Sequence, residues 1–106
     1  KKSTKFLMDV LYSTSTGPNK LVEQLPKNAK IAHKTGSSGK NKDGLTGAEN
    51  DIAIITLPNG KHYAISVFVS DSKESETVNC KMISDISKVV YDGLSNPKNG
   101  FFFNWK

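Results

Sequence analysis

Ile31-Ala32-His33-Lys34-Thr35-Gly36-Ser37-Ser38-Gly39 is an apolar run that carries a Lys-Thr-Gly into a Gly- and Ser-rich stretch. Ala29 to Thr35 reads as a strand, and Gly36 to Gly39 as its exit. Side chains alternate along a strand, so Lys34 and Gly36 project to one side and Thr35 to the other unless the strand end twists. A lysine, a hydroxyl and a glycine in succession suit the rim of a site that binds a carboxylate beside a reacting carbonyl. The Lys34 ammonium would attract the anion, a charge-assisted contact worth roughly 1.5 to 3 kcal/mol net. Gly36 would let a ligand approach backbone that a Cβ shields. The N–H of Ser37 would leave the strand edge in the geometry of an oxyanion donor, whose loss costs about 10² to 10³ in rate.

The flanks supply the other elements. Upstream, Ser3 or Thr4 can cap a helix with Phe6, Leu7, Val10 and Leu11 on one face, and Gly17-Pro18 breaks the chain after it. Lys40 to Gly47 reads as a loop. Downstream, Asp51 to Leu57 and His62 to Ser70 are β-branched runs joined by Pro58-Asn59-Gly60-Lys61, a hairpin turn. Neither run leaves an obviously wet face, so layers should cover this sheet on both sides, of which this chain need supply only one. A closing helix from about Glu74 to Leu94 starts at Ser72 or Ser75. It carries Val78, Met82, Ile83, Ile86, Val89, Val90 and Leu94 as an apolar stripe expected to pack on the hairpin, with Gly93 as a cap. The tail Phe101-Phe102-Phe103-Asn104-Trp105-Lys106 concentrates aromatics and reads as a docked or appended tail in preference to an interfacial membrane anchor, since no amphipathic helix accompanies it. The expected fold class is α+β: an antiparallel three-stranded sheet with N-terminal and C-terminal helices.

Composition narrows the function classes. A chain of 106 residues and 11.6 kDa, 36% apolar, is one domain or a piece of one with a thin core. Cys80 has no partner for a disulfide, and with only His33 and His62 it does not make a zinc site, so no metal and no cofactor are expected. The net charge is +5, yet all fifteen basic residues are lysine and they are scattered. Base readers rely on the bidentate fork of arginine, so no nucleic-acid partner is expected. No run approaches the length of a membrane span.

The bare tripeptide is weak, but its order with Thr14-Ser15-Thr16-Gly17-Pro18-Asn19-Lys20-Leu21, Leu25-Pro26, Asn50-Asp51-Ile52-Ala53, Leu57-Pro58-Asn59-Gly60 and Val67-Phe68-Val69 is specific. This order resembles the C-terminal part of class A serine β-lactamases, in a branch with H-K-T-G-[TS]-S-G followed by N-D-I. The resemblance covers residues 1–94 and leaves 95–106 outside it. It implies a segment of a three-layer α/β/α transpeptidase-like fold, in a parent that hydrolyses a β-lactam amide through a serine acyl-enzyme. It further implies that the substrate carboxylate sits against Lys34, Thr35, Gly36 and Ser37, that the Ser37 N–H completes an oxyanion hole, and that Ser38 flanks the edge pairing with the acylamido side chain. Lys34 and Ser37 are thus the catalytic candidates and Thr16 a polar neighbour of the carboxylate pocket. At Lys20 many relatives carry Arg, so a point charge replaces a fork.

The nucleophile of that family lies in S-x-x-K, its relay in S-D-N and its deacylating Glu on a loop, all upstream of the matched part. Ser37 to Lys40, Ser70 to Lys73 and Ser95 to Lys98 fit S-x-x-K as strings, at a frequency expected of a chain rich in Ser and Lys, and S-D-N does not occur. The expected partners are therefore a β-lactam and the missing N-terminal portion of the same protein, with the isolated chain inactive and the parent periplasmic or secreted in a bacterium. Two other readings stay open: a segment of a penicillin-binding D-Ala-D-Ala carboxypeptidase, and a non-catalytic module that self-associates through an open sheet edge near Val67 to Val69. Among other acids, Glu49, Asp51, Asp85 and Asp92 are candidates: Asp51 is read as a strand-entry residue that fixes the loop by hydrogen bonds, and Asp85 and Asp92 lie on the polar side of the last helix. His33 is read as lining the site or packing under it.

Overall fold

A computed structural model describes residues 1–96, which form α1 (Lys2–Tyr12), β1 (Lys30–Ser37), β2 (Thr46–Thr56), β3 (His62–Ser72) and α2 (Glu76–Ser95). The strands make one antiparallel sheet in the order β1-β2-β3. The expected α+β arrangement is the one observed. The tail from Phe101 lies outside the described residues.

The β2–β3 hairpin turns where its sequence asks it to. Gly60 sits at φ 87°, a left-handed conformation open to glycine, and its N–H donates to Leu57 O at 2.9 Å while Asn59 Oδ1 accepts from Lys61 N–H at 2.9 Å. Register then sorts the side chains. Lys34 pairs with Ile52 and Thr35 with Asp51, while Ile52 pairs with Ser66 and Asp51 with Val67. One face therefore carries Ile31, His33, Thr35 and Ser37 with Glu49, Asp51, Ala53 and Ile55. The other carries Ala32, Lys34 and Gly36 with Asn50, Ile52, Ile54 and Phe68.

The first face holds the core. Ala53, Ile55 and Val67 from the sheet meet Leu21 and Leu25 from the connection after α1, and Ile83 and Tyr91 from α2. The connection is a chain of tight turns, Lys20 N–H to Gly17 O, Glu23 N–H to Lys20 O and Leu25 N–H to Val22 O. Polar bonds dock it between sheet and helix: Ser87 Oγ donates to Leu21 O at 2.8 Å, and the Gln24 amide donates to Ser84 Oγ and Asp85 Oδ1. The second face is covered along β1 by α1 and is otherwise bare among the described residues, with Ile52, Ile54 and Phe68 exposed. Of the two layers expected over the sheet, the chain supplies one, and on the other side α1 reaches only along β1 among the described residues.

Several boundaries and faces differ from the sequence reading. α1 begins at Lys2 without a side-chain cap, so neither Ser3 nor Thr4 acts as one, and Phe6, Leu7 and Val10 stay exposed. β2 begins at Thr46, because Asn41 Oδ1 accepts from Asp43 and Leu45 N–H, closes the loop early and delivers Thr46 to the ladder. α2 begins at Glu76, capped by Ser75 Oγ, which accepts from Val78 N–H at 3.2 Å. It packs on the hairpin as expected, but of the expected stripe only Ile83 is buried and Leu94 packs part-buried against the core. Asn79, Cys80, Ile83, Ser84, Ser87, Tyr91 and Gly93 are buried, while Val78, Met82, Ile86 and Val89 are exposed. Small and hydrogen-bonding side chains let the polar turn segment lie close to the helix, which a row of β-branched residues would hold away. Gly93 is inside the helix, and Asn96 is the cap.

Candidate functional site

The free edge of β1 is the focus. Ser38 N–H donates to Ala48 O at 2.8 Å, so the backbone polar groups of Ser38 point toward β2. These groups alternate residue by residue along an antiparallel strand, so those of Thr35 and Ser37 point away from the sheet. The Lys34 ammonium lies over this same edge, donating to Thr35 O at 2.6 Å. Among the described residues, a cation and a free amide, Ser37 N–H, thus share one exposed strand edge. Thr16 joins them: its hydroxyl and that of Thr35 lie 2.8 Å apart, and Thr14 Oγ1 donates to His33 O at 2.6 Å. These bonds clamp the segment after α1 onto β1. Gly17 makes the clamp possible, since it sits at φ 61° and a Cβ there would collide with Thr35 Cγ2.

Behind the edge is a buried charged layer. Lys20 is 4% exposed and its ammonium donates to Gly36 O at 3.1 Å and Asn50 O at 3.2 Å, with Glu49 Oε2 2.6 Å away. Glu49 is 2% exposed, and its other oxygen accepts from Ser37 Oγ at 3.1 Å. Next along the same face, Asp51 is fully buried. It receives Leu21 N–H at 3.2 Å and lies 3.1 Å from His33 Nδ1. His33 packs under the strand and Asp51 ties the turn segment to the sheet, so both are framework here.

The residues singled out from sequence divide accordingly. Lys34, Ser37, Ser38 and Thr16 are exposed on or beside the edge, and Thr35 and Gly36 are half-buried within it. Lys20 is beneath, engaged by backbone carbonyls and a carboxylate. Ser38 Oγ accepts from Ala48 N–H at 2.9 Å and so closes the ladder at the strand exit. A Cβ on Gly36 would press on Asn50 Oδ1, so its bareness serves the packing of β2 as well as access. Ser37 and Lys40 do not form a catalytic pair: the serine donates to Glu49, and the Lys40 ammonium donates to Glu74 O at 2.7 Å. Sequence reasoning missed the weight of Glu49. Its signal was an acid one residue before Asn50-Asp51, on the face that register assigns to Ser37. It also missed the neighbours of Cys80, since Glu49, Glu76 and Cys80 bring one ligand atom each within 4.8 Å of one another. Burial, with the nearby Glu49 carboxylate, pushes the Cys80 thiol upward from its ordinary value.

Among the described residues, a lysine ammonium and an unpaired strand amide lie side by side on an antiparallel sheet backed by a helix, an arrangement chemically able to hold an anion. The comparisons give the family. A model described as the Beta-lactamase enzyme family matches residues 1–94, and the chain belongs to that family. It is 51% identical over 96 residues to β-lactamase VEB-1 of Pseudomonas aeruginosa, covering 91% of this chain and 32% of that protein. It is 43% identical to a β-lactamase of Bacteroides uniformis, with 89% and 32% covered. Among solved structures, the TLA-3 extended-spectrum β-lactamase superposes with a TM-score of 0.89 at 53% identity, over 91% of this chain and 35% of that one. A class A β-lactamase from Bacteroides cellulosilyticus superposes at 0.86 and 44% identity, over 89% and 34%. The chain thus spans about a third of the length of these relatives.

Proposed function

We propose that these residues are the substrate-binding wall of a class A serine β-lactamase, and that the whole protein opens the β-lactam amide through an acyl-enzyme. The observation that carries this reading is the shared edge of β1, where the Lys34 ammonium and the Ser37 N–H face the same way. Lys34 meets the substrate's carboxylate and lowers the cost of negative charge at the reacting centre. Ser37 N–H donates to the oxygen of the attacked carbonyl as it becomes an oxyanion. Thr35 and Thr16 supply hydroxyls to the carboxylate pocket, Gly36 keeps the backbone approachable, Ser38 holds the end of the edge, and Lys20 braces the wall from behind. The attacking serine and its proton acceptors come from the rest of the parent protein, which also covers the bare sheet face. The parent works outside the cytoplasm, where β-lactams are met.

Mixing the 106-residue chain with a chromogenic cephalosporin is expected to give no turnover, and the full-length protein to give ready turnover. Removing a nucleophile abolishes covalent catalysis. Robust hydrolysis by the short chain alone overturns the division of labour, and none by the full-length protein overturns the activity. Within the full-length protein, Lys34→Ala is expected to lower kcat/KM by about 10² or more, on the scale of a lost charge-assisted contact in a dry site.

A further inference from the structure

We propose that Glu49 sets the anion selectivity of the β1 wall, by holding the charge of Lys20 and the hydroxyl proton of Ser37 away from the substrate's carboxylate. This rests on the carboxylate pocket of the proposed function and adds to it a residue that neither the Lys-Thr-Gly motif nor its flanks single out.

Glu49 faces two groups that would otherwise serve an anion. Its Oε2 lies 2.6 Å from the Lys20 ammonium, with both side chains almost wholly buried, at 6% and 3% exposure. A buried pair of this kind cancels much of its own field at a distance, so Lys20 contributes little attraction at the edge. The ammonium is further occupied by Gly36 O and Asn50 O. The Glu49 carboxylate is what keeps it inside, since an unpaired buried ammonium is strongly penalised, and the Glu76 carboxylate stands within 4.8 Å of Glu49.

The second group is Ser37. A serine hydroxyl has one proton to give. Here that proton goes to Glu49 Oε1 at 3.1 Å, while Ser37 Oγ also takes the Gly39 N–H at 3.3 Å. The hydroxyl therefore turns lone pairs, not a proton, toward the pocket. A substrate carboxylate meets Lys34 as its cation and must compete with Glu49 for the Ser37 proton. Glu49 is thus a positioning residue that acts through Lys20 and Ser37. It makes the wall tolerant of substrates that lack a strong anion, at the expense of those that carry one.

The test compares Glu49→Gln with wild type in the full-length protein, using benzylpenicillin and its methyl ester, which differ only in the charge at that position. The preference for acid over ester, read as the ratio of KM values, is expected to rise about tenfold in the variant, the scale of one gained charge-assisted contact. A purely structural role would move both substrates alike. An unchanged ratio overturns the proposal. Leaving Lys20 uncompensated can unfold the variant, so Lys20→Met/Glu49→Leu is made in parallel. It removes the pair without stranding a charge and frees only the Ser37 proton, with a gain of about threefold expected from one neutral hydrogen bond. No gain there overturns the proposal when the single variant does not fold. If the wild-type protein hydrolyses neither compound, the proposed function fails. The inference is then decided by NMR titration of the Ser37 amide with the same pair: tighter acid binding in the variants supports it, and equal or absent acid binding overturns it.

Discussion

The two faces of the sheet are built by different rules. The face toward α2 buries Glu49, Asp51, Asn79, Ser84 and Ser87 among Leu21, Ile55 and Ile83, and it satisfies most of that polarity internally. The opposite face shows Ile52, Ile54 and Phe68 to solvent beside the exposed Lys34. The first is a finished interior whose polar groups specify how the turn segment lies on the strands. The second has apolar side chains but, among the described residues, no layer over them beyond α1, which is how a sheet looks when its cover belongs to another part of a protein. The β1 edge stands where the two regimes meet, with Lys34 from the open face and Ser37 from the closed one.

The sharpest way to break the comparison is inside the closed face. Asp51→Ala strands the Leu21 N–H and leaves His33 Nδ1 without its acceptor, and is expected to cost about 3 to 5 kcal/mol, read from urea unfolding of the full-length protein. A loss under about 1 kcal/mol would show that the layer is not needed to hold the turn segment. Gly17→Ala comes next, at about 1 to 3 kcal/mol, because it combines a left-handed backbone with a collision against Thr35. Its activity should fall with its stability, since the same clamp positions Thr16. Phe68→Ser probes the open face. In the 106-residue chain Phe68 is 68% exposed, so its loss is expected to change stability by no more than about 0.5 kcal/mol. Dye binding to exposed apolar surface should decrease. In the full-length protein the same change should cost about 2 kcal/mol or more if a layer covers it.

The smallest effect expected is at the rim of the closed face. The Lys81 ammonium and the Gln24 amide hold the Asp85 carboxyl below the usual carboxylate range. A lowered folded-state value adds stability above the ordinary carboxylate range, and that contribution is lost as pH falls through the lowered value. Asp85→Asn should therefore trim stability slightly at neutral pH and leave it unaltered in strong acid, a difference read from melting temperatures at the two ends. Convergence at neutral pH with divergence in acid would contradict the assigned cause.

Much of this was legible in the order of residues. Pro58-Asn59-Gly60-Lys61 made its turn, Ser75 capped its helix, and the Lys-Thr-Gly strand lay on an edge. What misled was the assumption that apolar side chains choose the buried side. In α2 the exposed Val78, Met82, Ile86 and Val89 look inward by composition, while Asn79, Ser84 and Ser87 look outward. Hydrogen bonds to the turn segment through Ser84 and Ser87, and to β3 through Asn79, reversed that order. The exposed side of α1, with Phe6, Leu7 and Val10, misled for the same reason, since burial depends on what arrives to cover a face.

Local sequence determined the elements and the family, because turn chemistry, caps and strand runs act over a few residues. The pairing of Lys20 with Glu49 spans 29 positions in the chain, and that of His33 with Asp51 spans 18. Such partners are chosen by strand register and by the docking of a turn segment, so only the tertiary structure decided them. That docking also decided that Lys20 works from beneath the edge, and that the Ser37 hydroxyl faces a carboxylate within the wall.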